Sequence, residues 1–123
     1  MHTTARLLEG LLRLCGSAAL LLGLAFWLGY GRSLTQLHIR LGTTVVVLLW
    51  VIAGLAWRAK AGVRLVALAV GWGFLVWFLG MRQGRLLPGS FHWVVEVAHL
   101  VVGMIAIALG ERLAATVKAR PGL

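Results

Sequence analysis

FHWVVEVAHLVVG, residues Phe91 to Gly103, governs the reading of the whole chain. It opens an apolar run that continues to about residue 113, close to the roughly twenty residues needed to cross a bilayer's hydrocarbon core. Yet it carries His92, Glu96 and His99, and an ionisable group inside such a segment is expensive and is a functional-site candidate. At about 100° per residue the three side chains fall within about 60° of one another, and Gly103 and Gly110 continue that face. The face is expected to point into a helix bundle rather than toward lipid.

Working outward, three more apolar runs are long enough to span. The spans are expected at about 11–30, 34–57, 63–81 and 91–113. "GYGRS" ends the first, "RAKAG" separates the second and third, and "RQGRLLPGS", with its Pro-Gly turn signal, separates the third and fourth. Ser33 and Ser90 stand where helix N-caps are expected. The first run resembles a signal peptide in its basic start, but no small-x-small cleavage signal follows Tyr30, so it is read as a retained span. The fold class expected is all-α: an integral membrane four-helix bundle, residues 1–123 forming one transmembrane domain.

Composition agrees. Of 123 residues, 61% are apolar and 12% charged, more apolar surface than a soluble domain of this size hides. The net charge of +9 does not indicate nucleic acid, because the basic residues form short clusters between apolar runs rather than a stripe or tail. Eight of them (Arg6, Arg13, Arg58, Lys60, Arg64, Arg112, Lys118, Arg120) fall on the side of the termini and second loop, against Arg32, Arg40, Arg82 and Arg85 opposite. This places both termini in the cytoplasm of a bacterial-type inner membrane, with lipid as the first partner. Trp27, Trp57, Trp77 and Trp93 are expected as interfacial anchors. The single cysteine, Cys15, excludes an internal disulfide. Close helix packing is a sufficient account of the small-residue stripes Gly16, Ala19, Gly23 and Ala69, Gly73, Gly80.

The second span supplies the counterpart to His99. His38 precedes Gly42 by four residues, as His99 precedes Gly103. A glycine one turn from a histidine leaves a flat notch beside the imidazole, of a kind that a planar macrocycle fills. "FWLGYGR" and "WFLGMRQGR" close the helices before each histidine, a faint internal repeat. Two neutral imidazoles facing across a bundle are a standard way to hold haem iron. The expected axial ligands are His38 and His99, with His92 as the alternative on the fourth helix and Met81 or Met104 less favoured. Glu96 is placed to accept the second ring N–H of His99. Arg40 and Arg85, with Arg32 and Arg82, stand where haem propionates would emerge. The plainer readings are interfacial histidines and snorkelling arginines. Depth is a difficulty, since His38 lies twenty residues before Arg58 and His99 only twelve before Glu111; the mismatch closes if the fourth helix runs to Lys118.

These residues resemble one half of haem A synthase, and the small four-helix b-type cytochromes that exchange electrons with quinones. The likeness covers "QLHIRLG" through "VAHLVVG", about residues 36–103, with "FLGMRQG" between them. It implies haem b on His38 and His99, and electron transfer with quinone or other membrane subunits as partners. Haem A synthase carries a Glu three residues before its helix 2 histidine and an Arg directly after; here those positions are Thr35 and Ile39. The departure favours an electron carrier over an enzyme acting on haem. Two other classes stand beside it: a cofactor-free structural or assembly subunit, and a proton or metal site built on Glu96-x-x-His99. No nucleophile triad, phosphate-binding glycine loop or HExxH occurs.

Overall fold

Each apolar run becomes one helix because, away from water, only a helix satisfies its own backbone hydrogen bonds within a single segment. The computed structural model describes residues 1–121. Its helices are α1 (His2–Trp27), α2 (Thr35–Arg58), α3 (Val63–Arg82) and α4 (His92–Lys118), with single 3₁₀ turns at Arg32–Leu34 and Gln83–Arg85. All four are long and apolar enough to cross a membrane. They run up and down in sequence. α2 and α4 pack against each other and against both remaining helices, so α1 and α3 flank this central pair. One end of the bundle carries the α1–α2 and α3–α4 connections; the other carries the termini and the α2–α3 connection.

The connections end their helices by recognisable chemistry. After α1 the Tyr30 N–H donates to Ala25 O and the Gly29 N–H to Phe26 O, with Gly29 left-handed at φ +88°. This paired closure suits a residue without a Cβ. α2 ends in the same way, with Ala61 N–H to Ala56 O and Lys60 N–H to Trp57 O, but there Lys60 itself takes φ +57°. The N-termini differ from expectation. Leu34 and Phe91, not Ser33 and Ser90, occupy the cap positions, and neither makes a side-chain cap bond. The 3₁₀ turn before α2 displaces its start by one residue, and Thr35 Oγ1 bonds back to Arg32 O at 2.7 Å.

Two helices exceed their expected spans. α1 begins at His2 because Ala5, Glu9, Leu12 and Gly16, at helical spacing, are all buried on the face it turns to the bundle. α4 continues past 113 to Lys118, burying Leu113, Ala114 and Val117. These added turns are joined by charge. Glu9, the one buried charged side chain among the described residues, pairs with Lys118 Nζ at 2.6 Å and Arg13 at 3.1 Å, and Arg13 pairs with Glu111 at 2.6 Å. The same end is closed by His2 Nε2 against Arg120 O at 2.8 Å and by Arg120 donating to Lys60 O at 3.3 Å.

Within the bundle, indole N–H groups find carbonyls on neighbouring helices, as a buried tryptophan requires. Trp50 donates to Val70 O at 3.1 Å and Trp72 to Val102 O at 2.9 Å. Trp27, Trp57, Trp77 and Trp93 are about half exposed.

Replacing Glu9 with Ala leaves the Lys118 ammonium without its acceptor in a half-buried site. Thermal unfolding of the purified protein in detergent should show a loss of about 1–3 kcal/mol, with Arg6→Ala, outside the network, close to wild type.

Candidate functional site

α2 and α4 bring the His38 and His99 rings together edge to face. Their ring centroids are 6.3 Å apart with an interplanar angle of 73°. The two are level when counted from the far end of each helix: twenty residues before Arg58 and nineteen before Lys118. The continuation of α4 through its last turn removes the depth mismatch expected from a shorter span.

Each ring is seated by a glycine on the flanking helix that precedes it. A Cβ at Gly23 of α1 would lie 3.3 Å from His38 Cε1, and one at Gly80 of α3 would lie 3.1 Å from His99 Cε1. Phe26 closes on His38 edge-on, with centroids 5.4 Å apart. The small-residue stripes are therefore sockets as well as packing surfaces. Their other glycines receive larger neighbours, Gly16 facing Ile107 and Gly73 facing the Trp50 indole. The arrangement repeats: Gly16 and Gly23 on α1, and Gly73 and Gly80 on α3, share a seven-residue spacing. Both histidines are followed by their own glycine at four residues.

Those second glycines serve the opposite purpose. A Cβ at Gly42 or Gly103 would meet nothing within 4 Å. Both line a cavity of about 390 Å³, which also includes His38 and His99. That volume lies within the range of roughly 300–1,000 Å³ usual for ligand pockets. The cavity extends to the two-loop end, where Arg32, Thr35, Gln83, His92 and Glu96 join its wall.

Both Nδ1 atoms, of His38 and of His99, are buried without a hydrogen-bond partner. Both atoms are closed off from open space, and the backbone of Ala19 lies within reach of the His38 ring. An imidazole nitrogen sits roughly 2 Å from a metal ion that it ligates, so two rings on opposite sides of one ion place their centroids on the order of 6 Å apart. The observed separation and the open glycines fit a flat, metal-centred group. Among the described residues, no cluster of three or more His, Cys, Asp or Glu side chains is suited to hold a bare metal ion.

The remaining sequence candidates are placed differently. Glu96 does not bond His99; its Oε1 lies 4.0 Å from His92 Nε2. The ring of His92 is fixed from its other side, Nδ1 to Leu86 O at 3.1 Å. It is thus held to the α3–α4 connection, with Glu96 nearby. Arg40 and Arg85 are not on the cavity wall, and Arg32 is. Arg40 follows His38 by two residues, about 200° around the helix, and is exposed. Arg85 lies beside Trp77, Phe78, Met81 and Arg82 in an outer groove. Arg82 is engaged over the Phe78 ring at 5.9 Å. Met81 reaches the cavity wall and Met104 does not. The sequence signal that identifies Arg32 is its place in the turn entering α2, two turns before His38.

No family model matches this chain, and neither a curated protein nor a solved structure does.

The two kinds of glycine separate by substitution. Gly73→Ala drives a methyl into the Trp50 indole and should cost about 1–3 kcal/mol by overpacking. Gly42→Ala and Gly103→Ala should leave the thermal midpoint of the purified protein nearly unchanged.

Proposed function

We propose that the chain is an integral membrane protein that binds one haem b between His38 and His99 and carries electrons. The observation that supports this best is the pair of level imidazoles, their centroids 6.3 Å apart, that line one cavity. When bound, haem supplies an iron that gains and loses a single electron. His38 and His99 would hold that iron through their imidazole nitrogens, a ligand pair that suits electron transfer rather than catalysis on a substrate. Gly23 and Gly80 receive the Cε1 edges of the two rings. Gly42 and Gly103 leave the space beside them clear. Arg32 is the cationic side chain in a position to pair with a carboxylate at the two-loop end of the cavity. The apolar side chains of α1 and α3 keep water from the interior.

On this reading the two-loop end faces outward and both termini lie in the cytoplasm of a bacterial-type inner membrane, as the excess of basic residues at the terminal end favours. Electron partners are a membrane quinone or neighbouring membrane subunits. The competing reading, a structural subunit without a cofactor, draws on the edge-to-face geometry of His38 with both His99 and Phe26, an arrangement that aromatic rings adopt for packing alone.

A reduced-minus-oxidised absorption spectrum distinguishes them. Protein expressed with haem supplementation should show sharp low-spin b-type bands. His38→Ala and His99→Ala should each abolish those bands, and His92→Ala should retain them. A colourless wild-type protein would favour the structural reading.

A further inference from the structure

Arg82, the last residue of α3, and Arg85, in the turn after it, have no counter-charge within the chain. The sequence holds 3 acidic side chains, and each is engaged elsewhere: Glu9 and Glu111 in the network at the terminal end, Glu96 opposite His92. The two arginines instead share a groove of about 360 Å³ at the two-loop end with Trp77, Phe78 and Met81. No acidic residue lines this groove. Its three apolar side chains are each about half exposed, and Arg82 lies over the Phe78 ring, 5.9 Å from the centroid. The groove is thus a pair of cations above an apolar floor.

The floor continues along α3. Gly71, Phe74, Leu75 and Phe78 fall within about 100° around the helix. The three large side chains are exposed, and a Cβ at Gly71 would meet nothing within 4 Å. Phe74 rests against Trp50, with ring centroids 4.6 Å apart, which gives the strip a firm edge. From Gly71 to Arg82 is about 16 Å of helix, roughly half of a hydrocarbon core about 30 Å thick. The strip therefore has the depth of one leaflet, with its cations at the end where headgroups lie.

The charge selects among lipids. Guanidinium N–H groups pair well with phosphate oxygens, and every phospholipid carries a phosphate. A zwitterionic headgroup also brings a cation of its own, which two arginines oppose. A headgroup with net negative charge supplies what the groove lacks.

We infer that this groove is a binding site for one anionic phospholipid, its phosphate held by Arg82 and Arg85 and one acyl chain laid along the α3 strip. This rests on the membrane-spanning part of the proposed function and is independent of haem.

The test is native mass spectrometry of the protein purified in non-ionic detergent and titrated with phosphatidylglycerol or with phosphatidylcholine of the same acyl chains. The wild type should retain one phosphatidylglycerol per chain in preference to phosphatidylcholine. An arginine near an anionic headgroup contributes about fivefold in affinity, so the Arg82→Gln and Arg85→Gln double variant should bind phosphatidylglycerol about 25-fold more weakly. Its thermal midpoint without lipid should match the wild type. Arg40→Gln, exposed at the same end but outside the groove, should keep the preference. Equal retention of the two lipids by the wild type overturns the site, as does a preference that survives in the double variant or is lost equally in Arg40→Gln. Displacement of the lipid by equimolar inorganic phosphate overturns it in favour of a small-anion site, and a lipid-free dimer that the double variant splits overturns it in favour of a second copy of the chain. In each of these cases the membrane-spanning reading stands; a chain that stays in solution without detergent overturns both.

Discussion

Two imidazoles facing each other in an apolar interior constrain everything around them. Their rings need level helices, so α2 and α4 must pack as the central pair and α4 must run its full length. They need recesses behind them, so α1 and α3 present Gly23 and Gly80 at those heights. They leave two buried nitrogens without partners, which a chain selected only for packing would avoid by placing leucine or alanine there. Both histidines line the cavity.

The two ends of the bundle solve different problems. At the terminal end, Glu9, Arg13, Glu111 and Lys118 tie α1 to α4, and Arg120 reaches the connection between α2 and α3. A buried carboxylate with two cationic partners holds a fixed geometry because losing either partner leaves a charge uncompensated. At the two-loop end, Arg32, Thr35, Gln83, His92 and Glu96 line the cavity. The closed end fixes the register of the helices; the open end uses that register to align His38 with His99.

Much of this was legible in the sequence. Runs of apolar residues bounded by Arg, Gly and Pro located four helices. Simple periodicity put His92, Glu96 and His99 on one face and paired each central histidine with a glycine four residues on. What was hidden depends on contacts between helices. Glu9 lies before the first expected span, and its burial depends on Lys118, 109 positions away in sequence and beside it in space. Gly23 and Gly80 read as generic small residues, since nothing in a single helix says which side chain will enter the gap. Arg40 was attractive for its nearness to His38 along the chain, yet the helical turn carries it to the outside, and Arg32 from the preceding turn lines the wall instead. Glu96 was assigned to His99 at three residues when the neighbour at four residues on its other side, His92, is the one that it faces.

The repeated glycines and histidines relate the α1–α2 hairpin to the α3–α4 hairpin by an approximate rotation, and Thr35 occupies the position on α2 that Glu96 occupies on α4, each three residues before its histidine. Both line the cavity, so the rotation matches shape but not polarity: one flank offers a hydroxyl, the other a carboxylate with an imidazole beside it. A planar guest with dissimilar edges would fit a symmetric slot in two ways related by a half-turn. For such a guest the unlike flanks would remove that degeneracy and select one of its two orientations.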